Sequence, residues 1–276
     1  MLGKLMKYEW KATRRTFLPL YGAILVVAIV NGIFFRFDNL GAGMIPWIKG
    51  IALLAYVGVI VGTMVLTAVV MLQRYYKNIL GSEGYLMHTL PVKGWEHIIS
   101  KGTLASLWMV GSVAVIIISI PLIMMVTEPH LIGDMFSVFF DKNTWKIING
   151  TIGTGNLIGY GVELLILSLA TSFMFCMKTY SAMSLGHLVG KHRLLASVAF
   201  YLGLDIVERM IFAICMSIGG KIFSNQLESF FHILEQENGV GYLHLLFLGG
   251  IVIVAIVATV YFFIAKYILD RKLNLE

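Results

Sequence analysis

Six long apolar runs, parted by short polar breaks, make up most of the chain. They fall at about 18–35, 48–72, 98–126, 156–177, 193–219 and 243–266. As helices, all reach or approach the roughly 20 residues that cross a bilayer core. Pro19 falls near the start of the first run, where proline is tolerated. Ahead of that run, Lys4, Lys7, Lys11, Arg14 and Arg15 recur on one side of a helical wheel, with Leu2, Met6, Trp10, Thr13 and Phe17 roughly opposite. Residues 1–17 therefore predict a basic amphipathic helix that can lie in the headgroup layer, apolar face down. Between the second and third runs, Gly81 can end one helix and Ser82 can cap the next, while Pro91 stops it. Residues 82–91 thus predict a short helix bounded by breakers. Segment 127–153 predicts partly helical structure, and 178–192 predicts an inner loop. Segment 220–241, with Phe230 and Phe231 among its acids, predicts a stretch dipping into headgroups. The fold class is all-α: a polytopic membrane protein, with residues 1–276 forming a single transmembrane domain.

Composition sharpens this. The chain is 58% hydrophobic and 13% charged, about half the charged content of a soluble domain. No stretch is long enough for a separate soluble domain. The net charge of +6 reports topology before it reports a nucleic-acid partner, and none is expected. Fifteen basic residues (Lys4, Lys7, Lys11, Arg14, Arg15, Arg74, Lys77, Lys93, Lys101, Lys178, Lys191, Arg193, Lys266, Arg271 and Lys272) fall on one side of a six-span layout, and five (Arg36, Lys49, Lys142, Lys146 and Lys221) on the other. That bias places both termini in the cytosol, and with them the 82–91 helix. No cleaved signal peptide is expected at the start.

Ionisable groups inside the apolar runs are the candidate chemistry. Asp205, Glu208 and Arg209 share nearly one face of the fifth run, and groups near mid-bilayer cost at least about 2.5–3.5 kcal/mol each on insertion scales. Arg209 needs an acid; Asp205 is i−4 to it, and Glu163 in the fourth run lies at a comparable depth. Two readings stay open: an ion pair locking the fourth and fifth helices, or a polar patch lining a substrate path. Gly58 and Gly62 form a G-x-x-x-G that permits close helix approach. Cys176 and Cys215 read as packing residues. The seven histidines lack metal-ligand spacing, so no metal site is expected. The glycine-rich 150–155 stretch is followed by Asn156 where a phosphate loop needs Lys, and no nucleophile or metal set accompanies the acids. No catalytic residue and no cofactor are expected in this chain.

The basic amphipathic start Met1–Lys11, the six runs, and Glu83-Gly84-Tyr85-Leu86 with Thr89-Leu90-Pro91-Val92 resemble bacterial permease subunits of type-2 ABC transporters, the exporters with the ABCG-like, type V fold. The likeness covers the whole chain, and its most specific part is the 83–93 stretch, reinforced by Leu185-Gly186-His187 to Lys191-His192-Arg193. The resemblance implies that 1–17 is a connecting helix and 82–91 a coupling helix seated in a cytosolic ATPase subunit, present in two copies and holding ATP and magnesium. Glu83, Gly84, Tyr85, Leu86, Thr89, Leu90 and Pro91 would be the coupling residues. Tyr85 and Leu86 serve as apolar anchors and Glu83 as a charged rim; the bland alternative seats both anchors against the bilayer. A second permease chain, identical or sister, would complete a path lined mainly by the second and fifth runs, in a bacterial plasma membrane. The implied activity is ATP-driven export of an amphipathic or hydrophobic substrate such as an antimicrobial peptide, a lipid or a drug. The competing readings are a proton-coupled secondary carrier and a non-transporting subunit that anchors or regulates the ATPase.

Overall fold

In the computed structural model, the described residues are 2–36, 45–81, 92–189, 192–222 and 240–271. Among them every regular element is helical: α1 (Leu2–Arg36), α2 (Ile45–Tyr75) continued by a π-helical turn (Tyr76–Leu80), α3 (Gly94–Thr127), α4 (Pro129–Phe140), α5 (Lys142–Thr151), α6 (Thr154–His187), α7 (Arg193–Ile222) and α8 (Val240–Arg271). Five helical stretches are long and apolar enough to cross a membrane: α1, α2 with its π turn, α3, α6 and α8. Their length and composition are consistent with a multi-pass membrane protein. Helix α7 is 30 residues long and stands apart from those five, with Asp205, Glu208 and Arg209 near its middle.

The chain forms two compact units. One comprises Gly3–Met71 and Leu107–Ile147. Its hub is Trp108, whose ring stacks on Trp10 at 4.6 Å and on Phe17 at 4.7 Å between centroids. The indole N–H donates to Thr13 Oγ1 at 2.9 Å, and the Tyr21 hydroxyl donates to the Trp108 carbonyl at 2.8 Å. A ladder of small hydroxyls continues along α3. Ser112 meets both Tyr21 and Thr67 at 3.0 Å, and Ser119 meets Tyr56 at 2.5 Å. Buried hydroxyls are tolerated here because each has a partner. Gly32 lets α1 close on α3, since a Cβ there would lie 2.7 Å from Val126 Cβ.

This unit corrects three expectations. The amphipathic segment 1–17 and the run 18–35 are one unbroken helix. Thr13 and Phe17, on the face assigned to the headgroups, are buried, because Trp108 supplies an aromatic and polar surface that covers them. Pro19 therefore sits well inside the helix, not at its start, and leaves the Arg15 carbonyl without its helical donor. At Gly58 and Gly62 a Cβ would meet nothing within 4 Å among the described residues, so their motif brings no described helices of this chain together. Segment 127–153 is helical as expected, in α4 and α5, and neither helix buries a residue.

The other unit comprises Met1–Leu2, Leu72–Ser106 and Ile148–Glu276. Helix α6 packs against both α7 and α8. Its second half is where the sequence reading fails most clearly. In place of an inner loop over 178–192, the helix runs to His187, and most of Cys176–His187 is buried. The reason is side-chain size. Ser181, Ala182, Ser184 and Gly186 leave room for neighbouring backbones, and the Ser181 hydroxyl donates to the Tyr261 carbonyl of α8 at 2.6 Å. At Gly186 a Cβ would fall 2.5 Å from the Ser197 backbone nitrogen of α7. The basic tail from Lys266 is also helical as far as Arg271. Of segment 220–241, residues 220–222 extend α7 and 240–241 begin α8; the remainder lies outside the described residues.

Candidate functional site

Helices α6, α7 and α8 bring four charges and a phenol together. Lys178 of α6 donates to Asp205 Oδ1 at 2.5 Å and to Glu208 Oε2 at 2.8 Å, both on α7. Tyr261 of α8 donates its hydroxyl to the same Glu208 oxygen at 2.8 Å. Arg209 donates from Nε to Asp205 Oδ2 at 2.7 Å, along one turn of α7. The Tyr201 ring sits 5.2 Å from the Lys178 ammonium, within cation–π range. Two cations and two carboxylates give no net charge. The Lys178 side chain is only 5% exposed, whereas that of Arg209 is 80% exposed. The cluster thus has a buried cationic centre and an open cationic edge.

The spacing of Asp205, Glu208 and Arg209 correctly places them together. Sequence reasoning misses Lys178, because it assigns that residue to a cytosolic loop. The available signal is the absence of Lys, Arg, Asp or Glu from the next twelve residues, all the way to Lys191, which marks a helix continuing inside a protected environment. Tyr261 carries no pattern of its own, since a single phenol in an apolar run is common.

Glu163 is a correction. It does not partner Arg209. Its Oε1 lies 2.8 Å from His244 Nδ1 of α8, and the Tyr160 ring packs 4.3 Å from the imidazole. Fifteen residues separate Glu163 from Lys178, about 22 Å along α6, so Glu163 lies about four turns from the cluster that holds Arg209. Glu163 Oε2 is buried with no hydrogen-bond partner among the described residues. This is a second polar site, distinct from the four-charge cluster.

Glu83, Gly84, Tyr85, Leu86, Thr89, Leu90 and Pro91 lie outside the described residues, but the ends of their segment do not. On the near side, Tyr75 stacks on Tyr180 of α6 at 3.7 Å, and its hydroxyl meets Ser184 at 3.1 Å. The π turn that follows buries Ile79 and Leu80. On the far side, Glu96 accepts from the Lys93 backbone N–H at 3.3 Å, half of a capping box that starts α3. Gly94 lies close enough to Asp270 of α8 that a Cβ would sit 2.9 Å from its Oδ1. Both flanks of 82–91 are therefore rooted on helices that contribute to the charge cluster.

Among the described residues no group of three His, Cys, Asp or Glu side chains could hold a metal ion. Cys176 is buried and Cys215 exposed, both as free thiols. Compared with known proteins, the chain matches no family model, no curated protein and no solved structure.

Proposed function

We propose that the chain is the permease subunit of an ATP-driven exporter of the type-2 (ABCG-like, type V) ABC class, in a bacterial plasma membrane. The observation that carries the reading is the rooting of segment 82–91. A force applied to that segment reaches α6 through the Tyr75–Tyr180 stack and α8 through the Gly94–Asp270 approach. Tyr180 is two residues from Lys178. Movement of α6 or α8 strains the contacts to Asp205, Glu208 and Tyr261, so a cytosolic push changes how α7 is held. The family resemblance of residues 83–93 supplies the pushing partner: a separate ATPase subunit in two copies, carrying ATP and magnesium.

In this reading α7 is the sixth membrane span, and both termini are cytosolic. Its three charges do not forbid a membrane setting, because Lys178 completes a neutral, hydrogen-bonded set with them. The family resemblance adds a second permease chain, identical or sister, and a path lined mainly by the second and fifth runs. The substrate is amphipathic or hydrophobic. Membrane lipid surrounds the remaining faces.

The test is co-purification. Tyr85→Asp with Leu86→Asp is expected to remove the ATPase subunit from the detergent-extracted complex and to abolish ATP-dependent transport in proteoliposomes. An unchanged complex with unchanged transport would reject the coupling role. A proton-coupled carrier is the second reading, favoured by the two carboxylate-containing clusters at separate positions on α6. An uncoupler would abolish that activity and leave ATP-driven export intact.

A further inference from the structure

We infer that Arg209 is the anion-recognising point of an amphiphile-binding strip on α7, so that the molecules handled there carry an anionic headgroup and an apolar tail. The inference rests on the export reading and narrows its substrate class. Arg209 is the 17th residue of the 30-residue helix, about 24 Å from its start, and so near its middle. Its Nε is fastened to Asp205, which fixes the plane of the guanidinium. Among the described residues its terminal nitrogens make no hydrogen bond, and the side chain is 80% exposed. Turns above and below on the same flank present Val198, Leu202, Ile206, Phe212 and Met216, all exposed. Asp205 balances the Arg209 charge, but the terminal N–H groups lie in an open apolar strip, where unmet donors are costly in a membrane unless an anion or water meets them. The planar fork suits carboxylate and phosphate in particular.

A second copy of the chain cannot readily supply that anion. Of its 15 acidic residues, only Glu163, Asp205 and Glu208 lie within the apolar runs. Asp205 and Glu208 are bound to Lys178. Glu163 is held by His244, and its second oxygen is buried. The acceptor for the Arg209 terminal nitrogens comes from outside the protein. The apolar neighbours of Arg209 then select an anion that brings its own hydrocarbon.

Native mass spectrometry of the detergent-purified chain tests this, with phosphatidylglycerol and phosphatidylcholine of matched acyl chains as probes. The unaltered chain is expected to retain its first bound phosphatidylglycerol about tenfold better than phosphatidylcholine, as one charge-assisted contact allows. Arg209→Gln should reduce that preference to near parity, Arg209→Lys should keep most of it, and Arg271→Gln, at the end of α8, should leave it unchanged. Melting curves of the variants confirm folding, since Lys178 still bonds both Asp205 and Glu208 in each. Equal retention of both lipids by the unaltered chain, or a preference surviving Arg209→Gln, overturns the proposal. Displacement of the lipid by inorganic phosphate alone overturns the amphiphile and leaves a free-phosphate site. Loss of dimers in Arg209→Gln with no change in lipid preference assigns the guanidinium to a partner chain and overturns it too. No ATPase enters this assay, so a failed co-purification leaves the anion site standing, and parity of the two lipids leaves the export reading standing.

Discussion

Removing the Lys178 ammonium strands two carboxylates that share it. Lys178→Met is therefore expected to lower the melting midpoint in detergent by roughly 5 °C or more, because breaking a buried ion pair costs far more than the pair contributes. Adding Asp205→Asn and Glu208→Gln to that variant should recover much of the loss. No recovery would mean that the three side chains do not act as one unit. Tyr261→Phe removes one hydrogen bond and should cost about 1 kcal/mol. In the other unit, Trp108→Ala removes a ring stacked between two aromatic partners and the indole bond to the Thr13 hydroxyl, so about 3–5 kcal/mol is expected from thermal or denaturant unfolding. Trp108→Phe, which retains a ring, should fall well below that figure. The contrast between these positions also shows what a sequence reveals. Asp205 and Arg209 announce their pairing because i, i+4 geometry is written into the helix. Trp108 and Thr13 are 95 residues apart, and nothing local tells an indole which hydroxyl it will find.

At the level of elements, apolar runs mark the six long helices among the described residues, because apolar stretches of hydrocarbon length leave few other folds. Their ends are less legible. Hydropathy stops at the first Lys, whereas a helix stops where packing and backbone partners run out. Helix α6 passes Lys178 because the charge is neutralised, and then passes Ser181, Ser184 and Gly186 because small residues admit α7 and α8. Gly186→Leu should therefore push α6 and α7 apart and destabilise the chain by about 1–3 kcal/mol or more, read as a lower melting midpoint. Gly58→Leu and Gly62→Leu meet open space and should leave the melting of the isolated chain unchanged. If either lowers it, α2 has an intramolecular neighbour at that face. The charge pattern within α7 is readable, but the identity of its partner is not: Glu163, expected at a depth comparable to Arg209, pairs with His244 instead.

For the whole molecule, the status of α7 decides the topology. With six spans, cysteines introduced at Lys4 and Arg271 react with an impermeant thiol reagent from the same side of the membrane, and one at Ser137 reacts from the other. Opposite sides for Lys4 and Arg271 would leave α7 out of the membrane. If α7 does cross, the neutrality of its cluster has an electrical consequence. Each elementary charge carried through a membrane potential contributes about 2.3 kcal/mol per 100 mV. Lys178, Arg209, Asp205 and Glu208 moving together carry none, so a rocking of these helices is blind to voltage. Any voltage dependence in a transport current would then report the charge of the cargo or of the Glu163–His244 pair, not of this cluster.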